Sequence, residues 1–160
     1  MDLTFDIKDT EGNHLIVALS SYDTNNIRAL TSDSKVLALE FYDVSLFRKS
    51  GDSYVGIKIL YEVINILAKF LKENKNAVLS FYCDPVADIK RSHIEIPPQQ
   101  YRSLLFTRMF DIYIKRHKED FINHVIEIED NTSVQYAHFI CRKEHLNLLT
   151  IIHTAIVEDK

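Results

Sequence analysis

The chain has few of the residues that bend or brace a backbone. Its 160 residues include three Gly, three Pro, two Cys and no Trp. So few glycines argue against a glycine-rich phosphate cradle, a flexible linker or a disordered tail. Two cysteines do not make a disulfide framework. A reduced, cytoplasmic setting is therefore expected, with a single bridge between Cys83 and Cys141 left open should their strands be neighbours. The opening MDLTFDIKD lacks a basic segment followed by an apolar one, so it is not read as a signal peptide. No apolar run reaches the ~20 residues that span a bilayer, and no membrane partner is expected. There is no internal repeat.

What is present is ordinary globular composition, 46% hydrophobic and 26% charged. The length suits a single globular domain over 1–160. The most apolar stretch, Ser53 to Asn74, predicts a helix. Ile57, Leu60, Ile64, Leu67 and Leu71 share one face, and Ile59, Val63, Ile66 and Phe70 run beside them. That stripe is wider than a surface helix needs, so two neighbours should cover it. Asp52 and Ser53 can cap its start. The run AVLSFYC (77–83) then reads as a strand buried on both faces.

Other elements follow from periodicity. LTFDIKD and HLIVALS alternate around Gly12 and predict a hairpin. KVLALEFYDV predicts a third strand, with Ser45 to Asp52 as the connection to the central helix. Residues 98–118 form a second helix, with Pro98 in its first turn and Tyr101, Leu105, Met109 and Ile112 in its apolar row. FINHVIEIE and SVQYAHFIC predict another hairpin, and Leu146 to Val157 a terminal helix. The order is βββ-α-β-α-ββ-α. The fold class is α+β, a mostly antiparallel sheet carrying about three helices.

The net charge of -4 is unevenly spread. Residues 77–118 hold seven Lys/Arg against four Asp/Glu, whereas 119–160 hold three against eight. The basic stretch supplies the anion- or partner-binding candidates: Lys90, Arg91 and His93 in a polar connection, then Arg102, Arg108, Lys115, Arg116 and Lys118 on the helix. Arg108 falls on or beside the apolar row, where it would need a partner such as Asp84, Asp88 or Asp111. The plainer reading, and the favoured one, is a clamp between helix and loop.

Metal and catalytic readings are weaker. His138, Cys141 and His145 come nearest to a ligand run, yet His138 and Cys141 would face opposite sides of a strand. His124 and His138 would share a side if their strands pair. No HExxH or close Cys pair occurs, so neither metal nor cofactor is expected. Cys83, Asp84 and His93 could be arranged as nucleophile and base, but no spacing identifies a triad.

VLSFYCDPVADIKRSH followed by LLFTRMFDIY resembles a family of small intracellular proteins found mainly in Bacteroidetes, a domain of unknown function. The matching positions are Cys83, Asp84, Arg91, Phe106, Arg108, Met109 and Phe110. Met109 stands where the family tends to have an aromatic. The resemblance implies a bacterial cytoplasmic domain of this architecture and carries no activity.

With no catalytic constellation evident, the favoured function is a non-enzymatic protein-binding or regulatory module acting through a protein partner or as a homo-oligomer. The alternatives are binding of nucleic acid or a phosphorylated ligand through residues 90–118, and a small hydrolase or nuclease using Asp84, Asp88, Arg91 and His93.

Overall fold

The computed structural model describes residues 2–22, 38–51, 57–83, 98–129 and 134–158. Six strands form one sheet: β1 (Asp2–Lys8), β2 (His14–Ser21), β3 (Glu40–Ser50), β4 (Ala77–Cys83), β5 (Phe121–Glu129) and β6 (Val134–Arg142). Three helices accompany them: α1 (Ile57–Glu73), α2 (Pro98–His117) and α3 (Leu146–Glu158). The strand order is β1-β2-β3-β4-β6-β5. All neighbours are antiparallel except β3 and β4, which α1 joins as a parallel pair. The expected α+β class and element order both hold.

Each face of the sheet has its own core. On one, Leu15, Val17 and Leu19 of β2 and Leu79 of β4 pack under Ile64, Leu67 and Leu71 of α1 and under Phe106 and Phe110 of α2. On the other, Phe41, Val78, Ile126 and Phe139 pack under Leu149 of α3. Strand β4 contributes to both, as its unbroken apolar run demands. Alternation along the chain decides which residues go where: Leu79 enters the first core and Val78 the second.

The wide stripe on α1 is accounted for, since Ile59, Val63, Ile64, Leu67, Ala68, Phe70 and Leu71 are all buried. Ile57 is 62% exposed and sits at the helix start rather than in the packed row. The proposed caps Asp52 and Ser53 lie outside the described residues. At the other end, Asn74 donates to the Phe70 carbonyl. Arg142 of β6 donates to the carbonyls of Leu71 and Lys72. These bonds occupy acceptors that the helix leaves open.

Three expectations need correction. Strand β3 begins at Glu40 and continues through Ser50, so most of the expected connection is strand. The ladder with β2, which reaches Ser50, holds it extended. The buried face of α2 is centred on Ser103, Phe106, Phe110 and Tyr113, and Leu104 and Ile112 are exposed. Arg108 accordingly points to solvent. Finally, Cys83 pairs opposite Tyr136, five residues from Cys141 along β6. That separates the cysteines by about 16 Å, beyond any disulfide. Cys141 is a free, buried thiol that burial pushes up to about 12, which keeps it protonated and unreactive.

Candidate functional site

The parallel junction is incomplete. Strand β3 has 11 residues and β4 has 7, yet they pair over only four rungs, from Glu40↔Ala77 to Asp43↔Ser80. Beyond that point β3 stays with β2, and β4 stays with β6. The sheet therefore forks at the carboxyl ends of its two parallel strands.

A cavity of about 540 Å³ occupies this fork. Val44, Leu46, Phe47 and Arg48 line it from β3, and Phe81 and Tyr82 from β4. Leu60, Val63 and Leu67 of α1 and Arg102, Leu105 and Phe106 of α2 close the helix side. Consecutive strand residues point to opposite faces. A cavity touching Leu46 and Phe47, and Phe81 and Tyr82, thus reaches both strands past their last shared rung. The carboxyl ends of parallel strands are where open α/β sheets hold ligands.

Two guanidinium groups border this apolar cavity. Arg48 is oriented by the β1–β2 turn. It donates to Asn13 Oδ1, and the Asn13 side chain donates to Asp9 at 2.7 Å. Asp9 also accepts from the Asn13 and Glu11 amides, and these bonds, with Arg48 nearby, hold its carboxyl below the usual value. Gly51 ends the strand at φ +91, where a Cβ would stand 2.6 Å from the Gly12 carbonyl oxygen. Turn and strand end can meet this closely only because that position has no side chain. Arg102 enters from the second turn of α2, with its Nε shielded from solvent.

On the α3 face of the last paired rung, Tyr22 shares a hydrogen bond of 3.2 Å with Ser80. Burial pushes the Tyr22 phenol up to about 12. Burial also raises the Asp43 carboxyl, and it raises Tyr82, to which the Asp43 charge adds.

Behind the cavity, α2 docks on β5 and β6 through a polar row at four-residue spacing. Gln99 donates to the Val134 carbonyl at 2.9 Å. Ser103 meets His138 Nε2 at 2.8 Å, and Thr107 accepts from Asn123 at 3.3 Å. Asn123 Oδ1 faces His138 Nδ1 at 3.0 Å. The imidazole is fully buried, and burial lowers it to about 4. It is neutral at ordinary pH, with the proton on Nδ1 and the Ser103 hydroxyl donating to Nε2. Sequence reasoning missed this row because Gln, Ser and Thr on a helix read as solvent-facing. Their spacing of four, opposite a histidine strand, was the available signal.

Among the described residues of the expected site, Arg102 borders the cavity, and Arg108, Lys115, Arg116 and Lys118 do not line it. Lys115, Arg116 and Lys118 lie exposed at the far end of α2, about 20 Å from Arg102 along the helix. There Arg116 stacks over Tyr61 at 5.6 Å, and Tyr61 bonds His117 at 2.8 Å. Lys90, Arg91, His93, Asp84 and Asp88 lie outside the described residues, as does the Cys83 side chain. His124 and His138 sit on opposite faces, because His138 pairs with Val125 and His124 with Phe139. His124 instead meets His153 of α3 at 2.9 Å. Among the described residues no three His, Cys, Asp or Glu side chains are grouped to hold a metal, and no helix is long and apolar enough to cross a membrane.

The chain matches no known protein-family model and none of the curated proteins with which it was compared.

Proposed function

We propose that the protein binds a small, elongated organic anion in the fork between β3 and β4. The observation that carries this reading is the coincidence of a cavity with the end of β3–β4 pairing, bordered by Arg48 and Arg102. The walls ask for methylene or acyl groups. The guanidinium pair asks for phosphate or carboxylate. Past the last rung, the inner edges of the two strands face the gap without pairing to each other, and an amide-bearing arm can bond to such edges. A phosphorylated molecule with an amide-containing arm meets all three demands. This sharpens the phosphorylated-ligand alternative and moves its centre from the basic helix end to Arg102. A protein-partner reading draws on edge strands β1 and β5, which every open sheet has, whereas the fork is particular to this chain.

Three probes separate the demands in calorimetric titration: coenzyme A, ATP and anilinonaphthalene sulfonate. Coenzyme A has phosphates on an amide-bearing arm, ATP has phosphates without one, and the sulfonate has an apolar body with one charge. Coenzyme A is expected to bind most tightly, and Arg102→Ala to weaken it about tenfold, the effect of losing one charge-assisted contact. Equal, weak binding of all three that is unaltered by Arg102→Ala contradicts the reading.

A further inference from the structure

Two of the aromatic walls of the cavity do not pack against aliphatic neighbours alone. The Phe81 ring lies parallel to the His138 imidazole, with centres 4.6 Å apart and planes at 7°. Phe106 meets Phe81 edge-on at 4.6 Å and His138 edge-on at 5.5 Å. The imidazole is thus the backing on which both walls rest. Its own orientation is fixed at both nitrogens, by Ser103 at 2.8 Å and Asn123 at 3.0 Å.

We infer that Ser103, His138 and Asn123 form a positioning relay that sets the shape of the ligand cavity by holding the Phe81 and Phe106 rings. None of the three touches the ligand. A ring bonded at both ends cannot rotate about its Cβ–Cγ bond without breaking two buried hydrogen bonds. A stacked phenyl ring inherits that fixity. The relay also links three elements around the cavity, since Ser103 lies on α2, His138 on β6 and Asn123 on β5. An apolar side chain at 138 could fill the same volume yet would leave Ser103 and Asn123 without their partner. This role rests on the proposed ligand reading, but part of its test does not.

The test uses the full chain and four variants: Ser103→Ala, His138→Leu, His138→Gln and, in the opposite core, Leu149→Ala. The readouts are coenzyme A affinity, ring-flip rates of Phe81 and Phe106 by NMR, and the ring nitrogen shifts of His138. Ser103→Ala and His138→Leu are expected to accelerate the ring flips and weaken binding at least about fivefold, which is about 1 kcal/mol. His138→Gln keeps one donor and one acceptor, so it is expected to restore binding to within about twofold of the parent. Leu149→Ala lowers stability but leaves affinity and ring flips unchanged, which separates positioning from general loosening. Unchanged ring flips in both Ser103→Ala and His138→Leu, or a parent imidazole protonated on Nε2, overturns the inference. If the parent binds no coenzyme A, the ligand reading fails, and the ring flips and nitrogen shifts still decide the relay.

Discussion

Two junctions of the same sheet behave differently. Strands β5 and β6 pair over nine rungs, from Phe121↔Arg142 to Glu129↔Val134, and use their full length. Strands β3 and β4 pair over four and then part. The first junction is a hairpin, closed by chain connectivity and covered by α2 on one face and α3 on the other. The second is a parallel crossover, where each strand feeds a helix at its carboxyl end. Ladder bonds and two-sided burial make the hairpin a stability element. The crossover gives up sheet continuity at one place, and the cavity lies there.

The contrast between ladder and fork is largest within β4 itself. Leu79 is fully buried in the paired part, and Tyr82 is 57% exposed in the fork. Leu79→Ala is expected to cost about 2–5 kcal/mol in chemical denaturation. Tyr82→Ala is expected to cost below about 1 kcal/mol while altering ligand affinity. Equal costs would mean that the fork is as tightly built as the ladder.

The pH dependence comes next. Burial holds the folded His138 imidazole at about 4, against its ordinary 6.5. Between those values the unfolded chain binds a proton that the folded chain does not. This contribution to stability is intact above pH 6.5 and is lost as pH falls to about 4, with a total near 3 kcal/mol. His138→Gln should flatten that part of the stability curve. Parent and variant curves of the same slope in this window would show that the ring is not held neutral.

Charge at the cavity gives a smaller effect, read in binding. Replacing Arg102 by Ala is expected to weaken anion affinity about tenfold. The smallest effect lies away from the fork, at the Lys72–Glu119 ion pair of 2.6 Å. Its lysine is largely exposed, so Glu119→Gln is expected to cost less than about 1 kcal/mol and to leave binding unaltered. A binding change there would spread the site well beyond the cavity.

Element types were legible because burial follows periodicity. The wide stripe of α1 and the unbroken run of β4 each announce two-sided cover, and both receive it. The length of β3 was not legible, because its outer half owes its extension to pairing with β2 more than to its own alternation. The site was hardly legible at all. Leu46, Arg48, Phe81 and Arg102 are scattered in sequence and meet only through a parallel crossover whose place in the sheet no local pattern encodes. His138 was visible as a histidine in a strand, but its partners at 103 and 123 depend on how α2 docks. The basic run at the end of α2 was legible in sequence, but no local pattern sets its distance from the cavity.

The most direct test of the account is an NMR titration of the parent protein with coenzyme A, followed at the backbone amides. Shifts are expected to be concentrated at residues 44–48, 81–83 and 102–106, with the outer strand β5 and the carboxyl end of α2 unmoved. Saturating ligand without shifts at the fork, or shifts confined to Lys115, Arg116 and Lys118, would contradict it.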